Sequence, residues 1–387
     1  MKIPPRKLFS EDELRVVEEV FRFYWDKGVD FGYQGEFENR YTKAFSKFQG
    51  GGYADAVSSG TAALYVALAA LELKEKSQVI VSPVTDPGGV TPVIALGHTL
   101  SIADSQKGGF NMDPVDFENR ITENTSAVVL THLGGLPANV DEIVGIARQK
   151  NVKVIEDCSQ AHGATYKGIN VGCFGDIAIF STMFSKNHAS GGCGGIIYTR
   201  DKVLSEKVRA YADRGKAFFS EDFNPKNPAQ ALFPALNFNQ DEISCAIGES
   251  TLKKLPNIIV ARRRLADVFA GKIDDCSALE VLKPVLGSVP SYFFLTIKLL
   301  EPELIKIKKD FTTALIDDGL WINPEYRFVV SEWPAVAPWI SGNSHTPNAV
   351  SMKDESFNLL FHENMTVSSI LKFVDSIVEN LLLFGFK

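Results

Sequence analysis

The stretch VKVIEDCSQAHGATYKGINVGCFGDIAIFSTMFSKNHASGGCGGIIYTR, residues 152–200, decides how this chain is read. Val152–Ile155 is an apolar run of strand length, and it ends in two acids, Glu156 and Asp157. A second apolar run, Asp176–Ser181, leads to Lys186; the glycine-rich segment HASGGCGG then separates it from a third strand, Gly195–Thr199. Taken singly these signals are weak. A lone acid after a strand is ordinarily a turn residue or helix cap, and a lone lysine is ordinarily solvated. An acid at the mouth of one buried strand and a lysine just past another, followed by glycines that let backbone pass close to a bound molecule, form a chemical pair.

That pair suits pyridoxal 5′-phosphate (PLP). The carboxylate would hold the pyridine nitrogen protonated, and the lysine would carry the aldehyde as a Schiff base. EDCSQAHGA, GDIAIFSTMFSKN and the GGCGG run also resemble the DegT/DnrJ/EryC1/StrS aminotransferases, the PLP enzymes of amino-sugar biosynthesis, with matching pieces from about Val57 to about His362. Three spaced motifs in the right order make the resemblance specific. It implies a fold-type I PLP-dependent aminotransferase: an α/β large domain with a mostly parallel sheet, plus a smaller C-terminal α+β domain. The catalytic residues it implies are Lys186 and Asp157, with Gln160 at the ring hydroxyl and Ser181 at the phosphate.

The 387 residues carry 45% hydrophobic and 22% charged side chains, ordinary globular values, and a net charge of −7. That charge gives no reason to expect nucleic acid or an anionic membrane as partner. The first residues, MKIPPRKLFSEDELR, lack the apolar core of a signal peptide, and no run approaches a transmembrane span. Five scattered cysteines, Cys158, Cys173, Cys193, Cys245 and Cys276, show no spacing of a zinc site or disulfide framework. No metal is expected, and a reducing cytoplasm is the simplest location.

In chain order, Ser10 and Glu13 form a capping box before a helix with Leu14, Val17, Val20, Phe21 and Tyr24 at helical spacing. Phe37, Tyr41 and Phe45 mark a second helix, and its aromatics read as packing. Tyr53–Val57 is a strand that meets Ser58-Ser-Gly-Thr61 and an apolar helix. Free N–H groups and the helix dipole make an anion site there, and the resemblance carries Thr61 and Ala62 over as phosphate contacts. The strand Gln78–Ser82 runs into Pro83–Gly89. Here the family usually places a ring-stacking aromatic after the threonine, but this chain has Asp86. His132 follows the strand Ala127–Thr131 and reads as a loop histidine. Strands alternating with helices over roughly residues 50–250 argue a mostly parallel sheet with ligands at its carboxyl edge.

The segment around Asn237 resembles one in which an asparagine reaches the PLP phosphate of a neighbouring subunit, which implies a homodimer with shared active sites; Asn239 stands where an arginine is frequent. Glu242–Leu252 reads as a helix, and the boundary is expected near Leu255, dividing residues 1–254 from 255–387. Arg262–Arg264 reads as a solvated or subunit-facing charge cluster. Tyr292–Leu299 reads as a strand, Trp321–Arg327 as a poor match to substrate-facing residues, and Ile370, Phe373, Val374, Ile377 and Leu381 as a closing amphipathic helix. The activity implied by the resemblance is amino transfer from glutamate, or glutamine, to a nucleotide-linked keto sugar. Two alternatives stand beside it. PLP-dependent sugar dehydratases of the same fold replace the lysine with histidine, which makes nearby His188 a point to check. A non-catalytic regulatory protein of the fold would not need Asp157 and Lys186.

Overall fold

The computed structural model describes residues 3–224 and 226–386. Its centre is a seven-stranded sheet made from β1 (Tyr53–Val57), β2 (Gln78–Val81), β3 (Thr99–Ile102), β4 (Thr125–Thr131), β5 (Lys153–Asp157), β8 (Ile177–Ser181) and β9 (Gly195–Thr199). The short pair β6 (Thr165–Tyr166) and β7 (Ile169–Asn170) lies between β5 and β8 in the chain and belongs to a separate sheet. The order is β1-β9-β8-β5-β4-β2-β3; β9 runs antiparallel to both its neighbours, and the pairs from β8 through β3 are parallel.

The near-continuous apolar strands are explained by two covered faces. Val79, Val81, Ala127, Val129 and Ile155 point into a core shared with the helix Gly60–Ala70. Ile80, Val128, Leu130 and Val154 point into another, shared with the helix Val140–Gln149. This period-two alternation is what a helix-covered sheet requires.

The capping box forms as expected: Ser10 accepts from the first turn of the helix Glu11–Asp26, and Glu13 returns to the Ser10 N–H. Of the face expected, Val20 is fully buried and Val17, Phe21 and Tyr24 are partly buried. Leu14 is exposed, while Glu13 is buried and accepts from Ser250 and Lys254. In the helix Glu36–Phe48, Phe37, Tyr41 and Phe45 are all buried.

One helix, Glu242–Ile273, is far longer than the sequence pattern indicates and contains both Pro256 and the expected boundary. Leu252, Leu255 and Ile259 pack with the N-terminal helices, whereas Leu265, Phe269 and Ile273 pack into a separate C-terminal core. That second core is built on a four-stranded sheet of β10 (Leu279–Val281), β12 (Leu295–Leu299), β13 (Ile322–Asn323) and β14 (Ser356–Leu359), while β11 (Ser288–Val289) pairs with β6. The strand expected from Tyr292 begins at Leu295, because Tyr292 has a positive φ of 42° that no strand residue adopts. The closing helix Val367–Leu383 buries Ile370, Phe373, Val374, Ile377 and Leu381. Among the described residues no helix is long and apolar enough to cross a membrane.

Candidate active site

Asp157 ends β5 and Ser181 ends β8, neighbouring parallel strands whose carboxyl edge faces the amino end of the helix Gly60–Ala70. Lys186 lies beyond β8 on a tight loop whose Lys186 N–H donates to the Met183 carbonyl at 3.0 Å. These elements enclose a cavity of ≈ 220 Å³ lined by, among others, Thr61, Asp86, Asp157, Gln160, Ser181 and Lys186. Three larger hollows among the described residues do not contain Asp157 or Lys186.

The two acids that end β5 have different work, because successive side chains leave a strand on opposite faces. Glu156 is fully buried. It accepts from the N–H groups of Gly172, Phe174 and Gly175 and stands 3.1 Å from His132 Nε2. Burial pushes its carboxyl up, but the His132 hydrogen bond and the Gly175 and Gly172 N–H groups outweigh burial and hold it below the usual range. His132 Nδ1 accepts from the Ala138 N–H, which leaves Nε2–H to donate to Glu156. His132 therefore braces Glu156 rather than entering the cavity.

Asp157 points the other way, into the cavity. Burial raises its carboxyl, opposed by hydrogen bonds from Ser159, among them the Ser159 N–H at 3.0 Å, and by the charge of Lys186. Burial likewise lowers the Lys186 amine, with Asp157 and Asp86 opposing. Each group is thus moved toward its neutral form by desolvation and back toward its charged form by the other.

The residues present fit PLP. At the first turn of the helix Gly60–Ala70, Ser59 Oγ takes the Ala62 N–H at 3.0 Å and the Ser59 carbonyl takes the Ala63 N–H. Among the described residues the N–H groups of Gly60 and Thr61 have no acceptor, which is the arrangement an anion completes. Glycines form the walls. A Cβ at Gly60 would stand 2.7 Å from Ser181 Cβ, one at Gly88 2.5 Å from Thr61 Oγ1, and one at Gly89 2.4 Å from Thr85 Oγ1. An anion cradle, a carboxylate and an amine in one glycine-walled cavity match the phosphate, ring nitrogen and aldehyde of PLP.

Most residues singled out in the sequence meet here. Thr61, Asp157, Gln160, Ser181 and Lys186 all line the cavity; Ala62 does not, and its N–H is already committed to Ser59. Asn237 is exposed outside it, its Oδ1 accepting from the Asn239 side chain at 2.7 Å. Gln160 is held at both ends: its Oε1 accepts from the Gly134 N–H at 2.8 Å and its Nε2 donates to the Tyr326 hydroxyl at 3.3 Å. Tyr326, in the poorly matching segment, thereby reaches the site. His188 does not line the cavity; it is buried between Tyr41 and Thr251. Asp86 stands at the rim and caps the Gly88 N–H at 2.9 Å, and no lining residue is aromatic; Ile179 and Met183 supply apolar surface. Thr85, Thr131, Met183 and Cys193 line the site without having been singled out for it, although Cys193 was visible inside the glycine run.

The pattern of the DegT/DnrJ/EryC1/StrS aminotransferase family matches residues 11–378. GDP-perosamine synthase from Escherichia coli O157:H7 is 31% identical over 264 residues, which cover 68% of this chain and 70% of that one. Among solved structures, the aminotransferase from Psychrobacter cryohalolentis is similar with a TM-score of 0.89 and 27% identity over 99% of both chains. The E. coli GDP-4-keto-6-deoxy-D-mannose-3-dehydratase with bound hydrated PLP has a TM-score of 0.86 at 23% identity, covering 96% of this chain and 98% of that one. At that identity the likeness speaks for the fold alone.

Proposed function

The chain belongs to the DegT/DnrJ/EryC1/StrS aminotransferase family, and from that membership we propose that it moves an amino group from glutamate to a nucleotide-linked keto sugar. It is a PLP-dependent sugar aminotransferase of α/β fold. A GDP-linked keto sugar is the first acceptor to test, because the relative covered over 70% of its length is named for GDP-perosamine. The observation that carries the site reading is Lys186 and Asp157 in one buried cavity at the carboxyl edge of the sheet.

When bound, PLP supplies an aldehyde carbon that takes up the amino group and a ring that draws off the electrons of a broken C–H bond. Lys186 would anchor it. A lysine whose basicity is lowered by burial has more neutral amine available at neutral pH, which suits Nζ to hold and return the proton of the donor's α-carbon. Asp157 would hold a proton on the pyridine nitrogen, and Gln160, fixed by Gly134 and Tyr326, would face the ring hydroxyl. Thr61 and Ser181 would hold the phosphate, joined by Asn237 of the partner subunit in a homodimer with shared sites. Lys186 rather than His188 faces the cavity, which favours transfer over elimination. The deciding experiment incubates the protein with PLP, glutamate and a panel of nucleotide keto sugars and reads amino-sugar product by mass spectrometry. Product from one of them, dependent on Lys186, is the expected result; no amine on any acceptor, with the cofactor demonstrably loaded, would count against the assignment.

A further inference from the structure

The loop that carries Lys186 is gripped from outside by a residue near the amino terminus. The Arg6 guanidinium donates to three consecutive carbonyls: Phe184 at 3.4 Å, Ser185 at 3.0 Å and Lys186 at 2.8 Å. Its Nε donates to Glu363 Oε1 at 2.9 Å, in the loop between β14 and the closing helix. The other oxygen, Glu363 Oε2, accepts from Arg262 Nε at 3.1 Å. Arg262 in turn donates to the carbonyls of Tyr292 at 3.0 Å and Phe293 at 3.4 Å. The Phe293 ring centroid lies 4.8 Å from Lys186 Nζ.

One carboxylate thus joins two guanidiniums. One guanidinium holds the backbone of Lys186; the other holds the backbone of the residue whose ring covers the Lys186 amine. The amino-terminal segment is itself fastened beside the same loop, by His362 Nε2 to the Pro4 carbonyl at 2.9 Å and by the Lys7 N–H to Asn364 Oδ1 at 2.8 Å. Arg262 is buried, not part of a solvated charge cluster as its triple-arginine setting indicates. A buried arginine is retained only where its charge is paired and its donors are used, and here both conditions hold.

We propose that Arg6 is a positioning residue for Lys186, held in place by Glu363 and Arg262. This rests on Lys186 being the cofactor lysine. The planar fork of an arginine fixes several acceptors at once, which a lysine's point charge does not. Releasing the fork frees the backbone of residues 184–186 and lets Nζ leave its apolar cover. The groups that act on Nζ are Asp157 and Asp86, which attract it, and His162, which senses its charge. None of them is altered by changing Arg6.

The test uses the full chain, before and after loading with PLP, as wild type, Arg6→Met, Arg6→Lys and Glu363→Gln. In the unloaded chain the pH midpoint for acetic anhydride acylation of Lys186, followed by peptide mass spectrometry, should rise in Arg6→Met by about half a pH unit or more as the amine gains water. In the loaded chain the absorbance titration of bound cofactor should shift, and kcat should fall about ten-fold or more. The melting temperature should move by no more than about 5 °C. Arg6→Lys should restore part of each change, and Glu363→Gln should move the midpoint in the same direction; these two carry the test if Arg6→Met does not fold. Borohydride trapping on the wild type separates the two claims. With the adduct on Lys186, an unshifted midpoint and titration in Arg6→Met overturn the positioning role and leave the lysine assignment standing. An adduct on another lysine overturns both.

Discussion

Phe293 lays its ring 4.8 Å from Lys186 Nζ, so the lysine's charge faces an aromatic surface while its nitrogen is kept from bulk water. The two effects have opposite signs. The ring's quadrupole favours the ammonium by about 1–2 kcal/mol, whereas desolvation disfavours it and shifts buried lysines by up to about 3–5 pH units. Burial lowers the Lys186 amine against the opposing charges of Asp157 and Asp86. Phe293→Ala, which admits water, should therefore raise the pH midpoint for acylation of Lys186. Phe293→Leu, which keeps the apolar cover and removes the quadrupole, should lower it. Equal midpoints in the two variants would show that the ring has no part in setting the amine.

His132 and Glu156 form a structural pair beneath the site. Loss of the imidazole leaves Glu156 buried with backbone donors only, and His132→Ala should cost about 2–3 kcal/mol in urea unfolding at neutral pH. Because the Glu156 carboxyl lies below its ordinary 4.5, its stabilisation is present above that pH and is lost as pH falls through the lower folded value. The acid limb of the stability curve should flatten in Glu156→Gln. Folded His132→Ala should keep its amino-transfer rate within about three-fold; a large loss of kcat with normal stability would return His132 to the chemistry.

Asp157→Asn keeps the size of the side chain and removes the charge that would protonate the pyridine nitrogen. The phosphate cradle and the Lys186 side chain remain in place, so colour should persist while the half-reaction with glutamate slows by about 100-fold or more. If Asp157 only braced a turn, the change would cost on the order of 1 kcal/mol of stability and leave amine transfer near normal.

The sheet was legible because its strands are apolar runs bounded by glycine and polar turns, and Asp157 and Lys186 could be placed at its carboxyl edge from β5 and β8, while Ser181 came from the family resemblance. The C-terminal part was less legible. The helix read over Glu242–Leu252 continues through Pro256 to Ile273, because the residues on either side of the expected boundary at Leu255 bury apolar faces in two cores. Arg262 reads as surface because its pairing with Glu363 joins residues 101 apart in the chain. Tyr326 meets Gln160 across 166 residues, and no local pattern records such a contact.

A shared site makes a separate demand. If Asn237 reaches the partner's phosphate, mixing Lys186→Ala chains with Asn237→Asp chains places both changes in one composite site of the heterodimer and leaves the other site native. Activity should reappear on mixing, toward about a quarter of wild type for random exchange of two equal pools. Verified subunit exchange without recovery would assign Asn237 to its own chain or to no site at all.

The central claim is that Lys186 is the lysine to which PLP attaches, and borohydride reduction of the loaded protein followed by peptide mapping tests it most directly. The reduced adduct should map to Lys186 in a protein that absorbs as a PLP enzyme, and Lys186→Ala should retain its fold without trapping the cofactor. A stable adduct on any other lysine, or undiminished transamination by Lys186→Ala, would contradict the account.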